Sequence, residues 1–168
     1  MKKSLIAVGL VAALALSACG GKKADTVASP DGSKAPVDAT AGGFGAPLDL
    51  GAGISLTIST PKSFVPGQFA SNFVKGQAAN IFDVTVKNSG TADLDPASII
   101  FAVNSGTNTC TDVLDGDNGI TGAPTDPIAA GASITFKAAI ACDAKKGDPL
   151  TMAVEVGAGK ASLNGKMA

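Results

Sequence analysis

The stretch FDVTVKNSG, residues 82–90, alternates apolar and polar side chains and then turns. Phe82, Val84 and Val86 recur at every second position, which places them on one face of an extended strand. The polar residues between them occupy the other face. The Asn-Ser-Gly that follows is typical of a turn. This pattern predicts a β-strand with one face on a core and the other in water.

The same alternation recurs along the last two thirds of the chain, in short runs separated by clusters of Gly, Pro, Asn and Asp. No stretch of useful length after the leader shows helical periodicity. We therefore expect an all-β fold: a two-sheet antiparallel, immunoglobulin-like β-sandwich of about seven strands, with closure into a small barrel as the alternative. The further predicted strands cover residues 54–58, 97–103, 134–140, 150–156 and, more weakly, 160–166.

Composition removes several classes of function. Hydrophobic residues make up 45% of the 168 residues and charged residues 16%, so the chain can bury a core. The sequence contains no His, Trp, Tyr or Arg, and its formal net charge is −1. Without His it lacks the usual proton shuttle and the commonest transition-metal ligand. Without a basic surplus it lacks the electrostatic footprint of a nucleic-acid binder. We expect neither an enzyme nor a nucleic-acid partner.

The N-terminal residues resemble a bacterial lipoprotein leader. Lys2 and Lys3 precede an apolar run, residues 5–16, that is too short to span a membrane. Leu16-Ser17-Ala18-Cys19 resembles a lipobox, with ordinary secretion as the alternative. The resemblance implies a signal peptide at residues 1–18, lipid on Cys19, and an extracytoplasmic location in the cell envelope, anchored to a membrane.

The segment after Cys19 is rich in Gly, Ala, Ser and Pro and lacks periodicity. We assign residues 19–47 to a flexible tether and residues 48–168 to the sandwich domain.

Two stretches carry a family resemblance. Residues 82–90 and the later run IAAGASITFK, residues 128–137, are similar in order to segments of telokin-like, immunoglobulin-fold domains in uncharacterised bacterial lipoproteins. The resemblance covers roughly residues 50–166. It implies the fold and a surface location, and it supplies no catalytic residues.

Three cysteines in an exported chain would leave one unpaired. If Cys19 carries lipid, Cys110 and Cys142 remain as a pair in an oxidising compartment, and we expect them to form a disulfide. Cys142 has the parity of the inward residues of strand 134–140, so it should face the core. A redox role is disfavoured because there is no CxxC spacing.

Four polar residues crowd one predicted loop: Asp112, Asp115, Asp117 and Asn118. Oxygen-rich loops of this kind bind calcium, so these residues form a candidate metal site. The pattern does not fit an EF-hand, and Asp-Gly and Asn-Gly are also typical of tight turns. A structural turn is the favoured interpretation, and no other cofactor is expected.

Phe64, Phe69 and Phe73 lie in a long connection, residues 64–76. Long loops on rigid sandwiches often bind ligands, which makes this a candidate binding loop. Alternatively, the three rings plug an open end of the sandwich, which is the favoured interpretation.

Taken together, the residues indicate a lipid-anchored, non-enzymatic interaction module with an unknown envelope or extracellular partner. The alternative is a surface lipoprotein that binds a small ligand or a cation, through the acidic loop or an apolar cavity.

Overall fold

The computed structural model describes residues 39–168. Within this range the structure is almost entirely β, with two short 3-10 helices, Pro96–Ser98 and Gly116–Asn118. The strands are β1 Thr40–Gly43, β2 Pro47–Asp49, β3 Ile54–Ile58, β4 Lys62–Ser63, β5 Ala78–Asn88, β6 Ile99–Ser105, β7 Asn108–Thr109, β8 Thr111–Asp112, β9 Ser133–Cys142, β10 Pro149–Val156 and β11 Gly159–Lys166.

The strands form two sheets that pack as a sandwich, which confirms the predicted fold class. The first sheet has the order β1-β11-β10-β6-β7. The second has the order β2-β3-β5-β9-β8, with β4 also paired to β5. All pairs are antiparallel except β1 with β11, which is parallel.

Every predicted strand is present, and β3 has the predicted bounds. The structure has eleven strands in residues 39–168 rather than about seven. The additional strands, β1, β2, β4, β7 and β8, are two to four residues long. So few residues cannot display an alternating pattern, and these strands are held by pairing with longer neighbours.

The predicted boundary between tether and domain is wrong, because β1 lies inside the segment assigned to the tether. Its sequence, Thr-Ala-Gly-Gly, has no large apolar side chain and therefore gives no strand signal. Backbone pairing with β11 holds it, and Thr40 lies opposite Ala161. A Cβ atom at Gly42 would collide with the Leu48 side chain, so glycine permits this close approach. The sandwich includes residue 40 onward.

The core lies between the sheets. Phe82, Val84 and Val86 on β5 are all buried, as their alternation predicts. They meet inward residues of the first sheet such as Val154 and Leu163. Dispersion and the burial of apolar surface together make this layer the main stabilising feature of the domain.

The strand registers define two opposite ends of the sandwich. Asn88 lies opposite Ile54, and its buried side-chain amide donates to the carbonyls of Ala92 and Ile128, both at 2.9 Å. We call this the Asn88 end. Ala78, at the start of β5, lies opposite Cys142, and we call that the Cys142 end.

A disulfide closes the Cys142 end, as predicted. Cys110 and Cys142 are bonded, and Cys142 is completely buried with its side chain in the core. Cys110 follows β7 of the first sheet, and Cys142 ends β9 of the second. Cys110 also directly precedes β8 of the second sheet, so the bond fixes the point where the chain crosses from the first sheet to the second against the end of β9.

Replacing both cysteines in Cys110→Ala/Cys142→Ala should lower the free energy of unfolding by about 3.5–4 kcal/mol, because the bond joins residues 32 apart in sequence. Urea denaturation of the variant and of the oxidised wild type measures the difference. Wild type in reducing agent is the control, and it should unfold near the variant's midpoint. Equal midpoints for oxidised wild type and variant would contradict the stabilising role.

Candidate functional site

The outer face of the second sheet is covered at the Cys142 end. Ala139 and Ala141 alternate with inward-facing Ile140 and Cys142, yet all four are buried. The two alanines belong to a second hydrophobic cluster that is separate from the main core. Its members come from the sheet, from residues 64–73 and from residues 113–120: Phe64, Ala70, Phe73, Ile81, Val113, Ile120, Ala139 and Ala141.

The three phenylalanines of loop 64–76 do not form one site. Phe64 and Phe73 are partly buried against the second cluster, on the outer face of the sheet. They do not plug the space between the sheets, so the favoured interpretation of the sequence is wrong for these two rings. Phe69 is 80% exposed. The signal that the sequence offered is the uninterrupted apolar run 138–142, which indicates a strand buried on both faces.

Hydrogen bonds hold loop 64–76 in place. The backbone N–H of Ser71 donates to the carbonyl of Leu114 at 2.8 Å. The hydroxyl of Thr111 donates to the carbonyl of Asn72 at 3.1 Å, and the Asn72 side chain donates to the carbonyl of Asp112 at 3.1 Å. The backbone of Asn72 is left-handed, with φ of 61°, a conformation that asparagine tolerates well. The loop is therefore a fixed part of the surface.

Large apolar side chains nevertheless project from this fixed loop into solvent. Val65 is 85% exposed, Phe69 80% and Val74 66%. We call these three residues the loop surface. They lie at the Cys142 end, because the loop joins β4, which pairs with the start of β5, to Ala78.

Asp115 stabilises the same loop. Its buried carboxylate accepts hydrogen bonds from the backbone N–H of Gly67 and from the side-chain amide of Asn118, both at 2.7 Å. The Gly67 N–H and then the Asn118 amide lower the pKa of Asp115 below its ordinary value. Gly119 follows with φ of 70°, so the Asn-Gly pair makes the tight turn that the sequence favoured.

The calcium site proposed for this loop is not assembled. Within residues 39–168 no group of three or more His, Cys, Asp or Glu side chains is arranged to hold a metal ion. Asp112 lies on β8, whereas Asp117 is in the 3-10 turn, and Asp115 and Asn118 hydrogen bond to each other. The oxygen-rich composition thus serves the turn and the hydrogen bond to Gly67.

A second feature is an apolar cavity of about 260 Å³ between neighbouring edges of the two sheets, which we call the edge cleft. The part of β6 that does not pair with β7 forms one wall, and β9 forms the other. Residues 112–123 connect the walls along one side. The lining residues are Ile99, Ile100, Phe101, Asp112, Val113, Leu114, Ile120, Gly122, Ala123, Phe136, Ala138 and Ala139.

Asp112 is the one ionisable residue that lines the edge cleft. It pairs with Ile140, whose side chain is directed into the core, and directly paired residues share a face of the sheet. The Asp112 side chain therefore lies on the inward face of the second sheet, at the exposed edge that β8 forms. Partial burial raises the pKa of its carboxyl group above the ordinary value.

Comparisons with known proteins bear on the fold. No family model matches the sequence, and no curated protein matches it either. The structure is similar to that of the candidate lipoprotein ycdA from Bacillus subtilis, with a TM-score of 0.57 and 15% identity, over 71% of this chain and 38% of that chain. An uncharacterised β-sandwich protein from Clostridium difficile aligns with a TM-score of 0.47 and 14% identity, over 80% of this chain and 98% of that one.

The two packed sheets define the class of protein as a β-sandwich, and the likeness to the Bacillus protein supports the fold alone. The chain spans well under half the length of the Bacillus protein. The narrower resemblance to telokin-like domains stays a prediction. Cys19, the leader 1–18 and most of the tether lie outside the described residues. Among residues 39–168 there is no helix of the length and apolarity needed to span a membrane.

Replacing Asp115 in Asp115→Ala should lower the melting temperature at pH 7, because the partly buried N–H of Gly67 loses its acceptor. The pKa of Asp115 is depressed in the folded state, so its stabilisation is present above pH 3.8 and is lost as the pH falls through the folded-state value. The difference in melting temperature between wild type and variant should therefore shrink below pH 3.8. Asp117→Ala is the matched control, and a difference that stays constant from pH 7 to pH 3 would argue against this role.

Proposed function

We propose that this protein is a lipid-anchored, non-enzymatic module of the cell envelope that binds a partner protein through the loop surface. The observation that carries the proposal is the exposure of Val65, Phe69 and Val74 on a loop that hydrogen bonds fix in place. The lipoprotein-like leader supplies the location, and the β-sandwich supplies a rigid support for the loop.

The loop surface is better suited to binding than to stability. An exposed Phe or Val contributes little to the core, and several exposed apolar side chains on one loop are typical of an interaction site. A loop that is already ordered loses little conformational entropy when a partner binds. The hydrogen bond from Gly67 to Asp115 spans 48 residues of sequence and provides part of that order.

The end of the sandwich at which the chain enters supports the same function. β1 begins at Thr40, opposite Ala161, and the hydroxyl of Thr40 donates to the carbonyl of Asp49, which lies toward the Asn88 end. A tether from Cys19 would therefore join the domain nearer the Asn88 end. The loop surface lies at the Cys142 end, where it can face away from the membrane.

The anchor is tested by Cys19→Ser, which removes the thiol that would accept lipid. We expect wild type in the membrane fraction, with the mass of diacylglycerol on its mature N-terminal residue, and the variant in the soluble fraction. Cys110→Ala/Cys142→Ala is the control, because it also removes cysteines but keeps Cys19. A mature wild-type protein without added lipid mass would overturn the anchor.

The loop surface is tested by placing a photocrosslinking phenylalanine derivative at residue 69. The native side chain there is already an exposed phenyl ring, so the crosslinking group changes the structure little. On intact cells we expect one adduct of defined mass. The same derivative at exposed Thr91, toward the Asn88 end, should not form it. Adding Val65→Ser and Val74→Ser should reduce the yield of the adduct about tenfold, because two apolar side chains no longer bury their surface in the interface. Equal yields from residues 69 and 91 would contradict the proposal.

A further inference from the structure

The edge cleft is a second site, separate from the loop surface. Apart from Asp112 its lining side chains are apolar, and the rings of Phe101 and Phe136 come from opposite sheets. A dry cavity of about 150 Å³ is enough to hold one benzene molecule. At about 260 Å³ the edge cleft has room for a ring with a short chain.

One feature of the cleft selects among ligands by charge. Asp112 is its sole ionisable lining residue, and burial is the only cause that shifts the pKa of its carboxyl group. No hydrogen bond to this carboxylate is present in residues 39–168, in contrast to Asp115, which has two strong donors. Asp112 is exposed to solvent at the mouth of the cleft, so a cationic group of a ligand can reach its carboxylate.

The position of Asp112 follows from the fold and not from a flexible side chain. β8 is only two residues long, but it is paired with Ala141 and Ile140 of β9, next to the disulfide at Cys142. The Asn72 side chain also donates to the Asp112 carbonyl. The backbone of Asp112 is therefore fixed at the mouth of the cavity, and its carboxylate lines that mouth.

We propose that the edge cleft binds a small monocationic amine with an aryl or short alkyl body. The ammonium group pairs with the Asp112 carboxylate, and the apolar body packs between Phe101 and Phe136. An ammonium group supplies the donors that Asp112 lacks, and the body replaces weakly held solvent along the walls. An anion of the same shape meets the carboxylate and is repelled.

A series of three ligands with one body and different charge tests the proposal: 2-phenylethylamine, 2-phenylethanol and 3-phenylpropionate. Binding is followed by ¹⁵N chemical shifts of the full chain carrying Cys19→Ser, which keeps detergent out of the assay. The amine should saturate with shifts at Phe101 and Phe136, the alcohol should bind about tenfold more weakly, and the acid should not saturate.

Variants separate the carboxylate from the cavity. Asp112→Asn should reduce amine binding to the level of the alcohol, whereas Asp143→Asn, the same change at an exposed position away from the cleft, should leave it intact. Ala123→Phe should abolish binding of both ligands by filling the cleft. Thermal melting of each variant shows that it remains folded.

Several results would overturn the amine site. These are no saturation by the amine, equal binding of amine and alcohol to wild type, and unchanged amine binding by Asp112→Asn. Phe69→Ser should bind the amine normally, because the loop surface is not part of the cleft. Failure of the crosslinking experiment and failure of the amine site are thus separate outcomes.

Discussion

The antiparallel pairing of β5 with β9 is the constraint on which the rest of the structure depends. It runs without interruption from Lys87 opposite Ser133 to Ala78 opposite Cys142. One face of this ribbon carries the centre of the core. At the Cys142 end its other face carries the second cluster, so both faces are buried there. The same pairing positions Cys142 for the disulfide and Phe136 as a wall of the edge cleft.

The connection from Cys110 to Ile120 links the two proposed sites. Asp112 and Asp115 are three residues apart, yet their pKa values shift in opposite directions. Asp115 receives hydrogen bonds that stabilise its charge and is used to hold loop 64–76. Asp112 is only partly buried and accepts no such hydrogen bond within residues 39–168, and it is the residue to which we assign the proposed ligand's ammonium group. The two aspartates cannot be distinguished by residue type, but their surroundings shift the pKa values of their carboxyl groups in different directions.

Much of the fold is visible in the sequence because alternation with a period of two is a direct imprint of a half-buried strand. Every long strand was predictable on this basis, and so was the inward direction of Cys142. The short strands were not, because backbone pairing leaves no pattern in side chains, as Thr-Ala-Gly-Gly of β1 shows. Phe64 and Phe73 were misplaced because an outer-face cluster depends on how loops fold back over a sheet.

By itself the sequence determined the sandwich class and the pairing of Cys110 with Cys142. It also contains no His, Arg or Trp, which narrows the range of functions that we expect. These follow from local periodicity, residue counting and composition, which need no knowledge of contacts. Only the tertiary structure decided which strands lie at the sheet edges, which phenylalanine of loop 64–76 stays exposed, and which aspartate faces a cavity. Those properties arise where residues distant in sequence meet, and the order of strands in a sheet cannot be read from any one strand.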